Sequence, residues 1–305
     1  MNARLGVSLK ILSALCATLM LACVKGLNGA IPTGEVIFFR SFVALFPLLI
    51  WLKIQGNIRQ RIKTKNIFGH LIRGFSGTGG MYFNYLALVY ISLADATAIS
   101  YAAPLFTVLM AAILLKENVH FSRWLAVIVG FCGILIMLSA KLTISNGLFS
   151  SGFALDGTAL GATFALLAAA CAATSNIQIR FLNGVESPGA IVFYFSLMTT
   201  LIGLFTLVFG WKMPHGWQWL LLIGCGLFGG IAQILVTLSL RYADASLLAP
   251  FDYTTLVWSM VIGYLFLDNL PGYATLMGAS VVALAGIFTI WCNRRQRKGH
   301  IFRSS

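Results

Sequence analysis

The amino-acid sequence predicts an all-α integral membrane protein, with ten transmembrane helices arranged as two inverted five-helix repeats. Three observations carry this. First, 59% of the 305 residues are hydrophobic and only 10% are charged, whereas an ordinary soluble domain is about half apolar and about a quarter charged. Second, apolar stretches of about 20 residues, the length needed to cross a bilayer, recur from end to end. Third, the two halves repeat each other. A shift of 155 residues puts Leu12 on Leu167, Cys16 on Cys171, Lys25 on Arg180, Gly34 on Gly189 and Ser41 on Ser196. A shift of 149 puts Gly77 on Gly226, Gly80 on Gly229, Asn84 on Gln233 and Ala94-Asp95-Ala96 on Ala243-Asp244-Ala245. An odd number of spans per half turns the second half upside down relative to the first.

The spans are read at 8–28, 33–52, 67–91, 95–115, 122–140, 158–181, 189–210, 217–240, 246–266 and 273–292. Residues 1–143 form the first repeat, 144–157 a linker rich in Ser and Gly, 158–292 the second repeat and 293–305 a basic tail. Within the first span, Lys10, an apolar run and then Leu21-Ala22-Cys23 form a pattern near to a secretion signal. Its repeat partner at 166–183 is internal and many more spans follow it, so it reads as a retained helix. The second opens with Glu35, which suits the positive end of a helix dipole. The third and eighth carry small residues at close-packing spacing, Ser76 with Gly80 and Gly226 with Gly230, as the fifth does with Gly130 and Gly133; such residues let helix backbones approach in lipid. The fourth and ninth contain Pro104 and Pro250 within their first two or three turns. Each proline withholds a backbone donor and frees a carbonyl, which needs a partner in protein or in a wet cavity. A packed kink and a cavity wall both satisfy that need. Asp95 and Asp244 begin these two helices as N-caps. Trp211, Trp217 and Trp219 flank a boundary as an interfacial belt.

The net charge of +13 does not indicate nucleic acid. Lys53, Arg59, Arg61, Lys63, Lys65, Lys116, Arg123, Arg294, Arg295, Arg297, Lys298 and Arg303 all fall on one side of a ten-span layout. This positive-inside bias sets both termini in the cytoplasm of a multi-pass protein, with the tail against anionic lipid headgroups. The six cysteines show no metal-ligand spacing and read as small packing residues. Gly74-Phe75-Ser76-Gly77 matches a short serine-protease pattern, but such chemistry needs a histidine on another helix. His70 lies on the same helix, and His120, His215 and His300 fall in loops or the tail. No phosphate loop or zinc-protease motif occurs. The expectation is a protein that is not an enzyme and needs no cofactor and no metal.

Polar groups at membrane depth are costly and point to function or to pairing. Arg40 lies about 10 Å along the second span, at about 1.5 Å per residue, and Arg73 at similar depth from the other end of the third. Arg40 suits pairing with a carboxylate, capping of carbonyls or an anionic ligand group. Arg73, and Arg180 with it, can instead snorkel to headgroups. Asp252, in Ala249-Pro250-Phe251-Asp252-Tyr253, suits proton exchange, a cationic ligand, or a fixed salt bridge to the other half. Tyr82, Asn84, Tyr101, Gln233 and Tyr253 share the spans that hold the repeated Gly and Pro signals, and would suit an amphiphilic cavity. Lys25 and Glu35 are candidates for a gate at the outer mouth.

Several stretches together resemble the drug/metabolite transporter superfamily, EamA-type branch. They are Glu35-Val36-Ile37-Phe38-Phe39-Arg40, Leu71-Ile72-Arg73-Gly74, Ala103-Pro104-Leu105-Phe106-Thr107, Leu115-Lys116-Glu117, Ala249-Pro250-Phe251-Asp252-Tyr253 and Leu267-Asp268-Asn269-Leu270-Pro271. The resemblance covers nearly the whole chain, in order and in both halves, with mild departures near Lys116-Glu117 and Asp268. It implies a secondary transporter in a bacterial cytoplasmic membrane that moves a small-molecule metabolite by alternating access; whether as monomer or homodimer is not read from the sequence. Within the branch the pattern is similar to S-adenosylmethionine and riboflavin transporters and to exporters of amino acids and related metabolites. A membrane enzyme acting on lipids, or a sensor, is the competing class; neither its clustered reactive residues nor a soluble module is seen.

Overall fold

The computed structural model describes residues 3–56, 58–114, 157–183, 185–242, 248–267, 272–273, 276–281 and 283–284, with a few positions between 125 and 136. Every regular element among the described residues is helical. In chain order these are α1 (Ala3–Gly26), α2 (Thr33–Ile54), the single turn α3 (Ile58–Arg61), α4 (Ile67–Tyr90), α5 (Leu93–Ser100), α6 (Ala102–Leu114), α7 (Gly157–Asn183), α8 (Pro188–Phe205), α9 (Trp217–Tyr242) and α10 (Thr254–Leu267). Short 3-10 turns occupy Thr206–Phe209 and Ala249–Tyr253. Among the described residues, five runs are long and apolar enough to cross a membrane: Arg4–Gly26, Thr33–Ile54, Gly157–Ile179, Pro188–Phe209 and Trp217–Ser239. α4 is as long, but His70, Arg73, Ser76, Thr78 and Asn84 make it more polar. Most of the span expected at 122–140 and the part of the span at 273–292 after 284 lie outside the described residues, as do 144–156, the tail 293–305, Asp244 and Asp268.

Three helices, α4, α5 and α8, start where a side chain answers their orphan N–H groups, whereas α2 follows Pro32 with no side-chain cap. Asn66 Oδ1 accepts from Gly69 N at 2.9 Å to open α4, and Ser187 Oγ accepts from Ala190 N at 3.1 Å to open α8, with Pro188 in the first turn. At α5 the cap is Ser92 rather than the expected Asp95. Ser92 Oγ accepts from Asp95 N at 3.1 Å and donates to Asp95 Oδ2 at 2.7 Å. The aspartate, three residues after the cap, accepts the hydroxyl of Ser92, so it supports the cap instead of forming it.

The span expected as one helix over 95–115 is two, α5 and α6, parted at Tyr101. The break follows from Pro104. It has no N–H for the Ser100 carbonyl, and it sits in the first turn of α6, where none is required. The ninth span is broken in the same manner, with Pro250 in the 3-10 turn that leads into α10.

Packing exchanges partners between the two halves. α4 of the first half lies against α7 and α8 of the second, while α9 of the second lies against α1 and α2 of the first. α2 and α8, which correspond in the sequence repeat, also pack on each other. Small residues permit this. A Cβ on Gly80 would stand 3.4 Å from the Ala168 carbonyl oxygen and 3.5 Å from Ala172 N, so α4 and α7 run nearly backbone to backbone. A Cβ on Gly203 would stand 2.8 Å from both Cα and N of Phe38, so α8 cannot carry a side chain there. Ala162, Ala165, Ala169, Leu88, Ile99 and Leu222 are among the buried residues of the central core.

Candidate functional site

A cavity of about 580 Å³ opens between the halves, at the end of the bundle that carries Lys53, Lys63 and Lys65. Its volume falls in the usual range for small-molecule sites, about 300–1,000 Å³. Trp51 and Gln55 at the end of α2, Arg61 of α3, Arg73 of α4, and Gln233 and Thr237 of α9 line it, with apolar walls from α7 and α8. Helical spacing explains the last pair, since positions four apart share a face.

Arg73 is 4% exposed. Its Nη1 donates to Ser175 Oγ at 2.7 Å, and its guanidinium carbon stands 4.3 Å above the Phe195 ring. Nε is buried with no hydrogen-bond partner. Arg61 holds the rim, with Nη1 donating to Gln55 Oε1 and Nη2 to the Gln55 carbonyl, both at 2.9 Å. Arg40 lines a small cleft that shares Gln233 and Val192 with the cavity. It occupies the space that a side chain at position 229 would take: a Cβ on Gly229 would meet Arg40 Nε at 3.1 Å. Arg40 Nε is also buried without a partner.

A second cluster joins the two broken helices. Leu256 N donates to the Tyr101 hydroxyl at 3.0 Å, and that hydroxyl lies 2.6 Å from Thr255 Oγ1. Thr255 in turn donates to the Asp252 carbonyl at 2.7 Å, which leaves its oxygen to accept from Tyr101. Tyr101 and Tyr253 rings meet edge to face at 4.9 Å. The residue at the break of the first half thus caps the start of α10 in the second. Asp252 pairs with Lys10 Nζ of α1 at 2.6 Å, the one ion pair among the described residues; the Asp252 side chain is 56% exposed. Of the readings open for Asp252, this geometry is that of a salt bridge between the halves.

At the opposite end, Lys25 and Glu35 take separate partners. Lys25 Nζ donates to the Leu88 carbonyl at 2.6 Å and the Ile91 carbonyl at 2.9 Å, closing the end of α4. Glu35, buried, accepts from Lys212 N at 3.0 Å and so ties α2 to the link before α9. Tyr82 is exposed on the outside of α4, and Asn84 Oδ1 is buried without a partner. The ten expected residues are therefore not one cluster. Arg73 and Gln233 line the cavity with Arg40 behind them; Tyr101, Asp252 and Tyr253 form the joint; Lys25, Glu35, Tyr82 and Asn84 stand elsewhere.

Glu186 carries no motif in the sequence, and its position emerges only from the fold. Its Oε1 accepts from Lys65 N at 2.6 Å, Thr64 Oγ1 at 2.8 Å and Asn66 N at 2.9 Å, so the α7–α8 link holds the start of α4. Burial disfavours its charge, but the Lys65 N–H, the Thr64 hydroxyl, the Asn66 N–H and nearby His70 outweigh that and hold its carboxyl below the ordinary carboxylate range.

Relatives place this geometry in context. The pattern of the EamA-like transporter family matches residues 4–139 and 159–292. The chain is 29% identical over 271 residues to a riboflavin transporter of Vibrio cholerae, covering 88% of this chain and 86% of that protein. It is 27% identical to an S-adenosylmethionine uptake transporter of Rickettsia prowazekii, with 89% and 87% covered. It is 26% identical to the pseudopaline exporter CntI of Pseudomonas aeruginosa, with 92% and 94% covered. One solved crystal structure shares the fold, with a TM-score of 0.64 and 18% identity, covering 95% of this chain and 98% of that one. The matched segments take in both halves and all the helices that build the cavity and the joint, so the chain is a multi-pass membrane protein that belongs to the EamA-like transporter family.

Proposed function

We propose that the protein is a secondary transporter of a small organic metabolite in a bacterial cytoplasmic membrane, working by alternating access between two inverted five-helix repeats, 1–143 and 158–292. The observation that carries this reading is the cavity between the halves, walled by α2, α4, α7, α8 and α9, with Arg61 and Arg73 in its lining. The exchange of packing partners between the halves supports the inverted arrangement, as does the pair of proline-broken helices meeting at Tyr101. Broken helices near the centre of a bundle are a recurrent way to expose backbone groups to a solute. In this reading the basic end faces the cytoplasm. Arg40, Arg73 and Gln233 act on the solute, Tyr101 and Tyr253 shape the joint, and Tyr82 and Asn84 complete the path. Lys25 and Glu35 hold the outer mouth shut, each through backbone groups. Asp252 couples movement to protons, or to a counter-substrate, when Lys10 withdraws from it.

The test is flux. Purified protein in liposomes is expected to move at least one solute from a panel of flavins, sulfonium compounds, amino acids and opine-type metabolites under a pH gradient or in counterflow. Asp252→Asn is expected to abolish gradient-driven accumulation and to retain counterflow. Failure of the wild-type protein to move any solute in either mode contradicts the proposal. The similarity to uptake proteins and to an exporter favours neither direction, and flux from both sides decides it.

A further inference from the structure

Among the described residues, Arg73 is a buried cation without a counter-ion. Four acids lie among the described residues, and each is engaged elsewhere. Glu35 accepts from Lys212 N at the far end. Asp95 takes the Ser92 hydroxyl at the start of α5. Glu186 is filled by donors from residues 64–66. Asp252 pairs with Lys10. Arg73 instead has one hydroxyl, one aromatic face and a bare Nε. Snorkelling does not account for it, because the side chain is 4% exposed and turned to Ser175 and Phe195. Removing a guanidinium from water costs several kcal/mol, roughly, unless a charge and hydrogen bonds replace the water. A neutral serine and a ring supply only part of that.

The cavity repeats the pattern at its rim, where Arg61 is held by the neutral Gln55. Among the described residues the lining contains two arginines and no carboxylate. Arg40, with its own unpartnered Nε, lies behind Gln233 in the adjoining cleft. Both charged side chains among the described lining are positive, and low-dielectric walls strengthen the field of such charges.

We infer that the metabolite taken by this cavity is an organic anion, with a carboxylate or phosphate on Arg73 and an apolar or ring-bearing body against Trp51, Ile191 and Val192. The planar fork of an arginine matches either oxyanion in two-point contact. Gln233 and Thr237 offer neutral polar contacts to the rest of the solute. Arg61 draws the anion to the rim. This assignment rests on the transporter reading and narrows its substrate class.

The test is a binding measurement that needs no flux. Purified wild-type protein in a zwitterionic detergent is titrated with benzoate, phenyl phosphate and the neutral isostere benzamide, at matched ionic strength in chloride, and thermal unfolding is followed. Benzoate and phenyl phosphate are expected to stabilise it and benzamide is not. R73Q is expected to weaken the anion response by about tenfold or more, with R73K keeping part of it. R61Q, at an exposed rim position, is expected to weaken it less, with a steeper loss at low salt. An equal response to benzamide, no response to either anion, or an anion response retained in both R73Q and R61Q overturns the assignment. The same variants in nanodiscs with and without phosphatidylglycerol separate the two sources of phosphate. Arg73-dependent stabilisation by that lipid, with none by the soluble anions, overturns the metabolite assignment in favour of a headgroup. A protein that moves neutral or cationic solutes and ignores these anions would keep the transporter reading and lose this one.

Discussion

Glu186 sets much of the geometry at the basic end, since one carboxylate oxygen takes three donors from the link before α4. Its folded pKa lies below its unfolded value, so its contribution is fully present above the unfolded pKa and is lost as pH falls through the folded one. Glu186→Gln is expected to cost about 2 kcal/mol at neutral pH, the order of a charge-assisted hydrogen bond. The deficit relative to wild type should shrink as the pH is lowered into the acid range, which thermal unfolding across pH would measure. A deficit that grows in acid would contradict the assignment. No sequence pattern pointed to Glu186, because its partners stand at 64–66 and only the packing of α4 on α7 and α8 brings them together. The same holds for Asp252, whose polar position in a span was legible while its partner Lys10, far away in sequence, was not.

Helices in this bundle are placed by backbone proximity, and glycines report it. Gly203→Ala would force a methyl to 2.8 Å from the backbone of Phe38, which has no free rotamer to yield. Gly79→Ala would meet only Cys171 Sγ at 3.6 Å, an ordinary contact. The first is expected to destabilise by about 1–3 kcal/mol, as overpacking does, and the second to be close to neutral. Unfolding of the two variants side by side checks this, and equal effects would contradict the close contact of α8 with α2. At the joint, Tyr101→Phe would leave the Leu256 N–H without its acceptor, at a cost of about 1–3 kcal/mol. Its expected signature is faster hydrogen exchange at the first turn of α10, and unchanged protection there would count against the cap. The repeated Gly77/Gly226 and Gly80/Gly229 pairs were readable from the sequence because close packing in lipid demands small residues. Their partners were not readable: Gly80 serves α7, whereas Gly229 makes room for Arg40. The interruption at Tyr101 was only half readable. Pro104 marks a lost donor, but a kink and a full break share that signal until the chain on each side is packed.

For the molecule as a whole, the two halves are interleaved through their longest helices, with α4 against α7 and α8 and α9 against α1 and α2, and α2 and α8 also pack on each other beside the cavity. Gln233 sits where those contacts and the cavity meet, shared by the cavity and the cleft that holds Arg40. The most direct test places a cysteine at position 233 of a cysteine-free background in oriented membrane vesicles, and labels it with a membrane-impermeant thiol reagent from each side in turn. Alternating access predicts labelling from the basic end in the absence of solute. When a transported solute or an opposing gradient is applied, protection from that side and labelling from the other should appear together. Labelling from one side alone under every solute and gradient, with no reciprocal change, would contradict it.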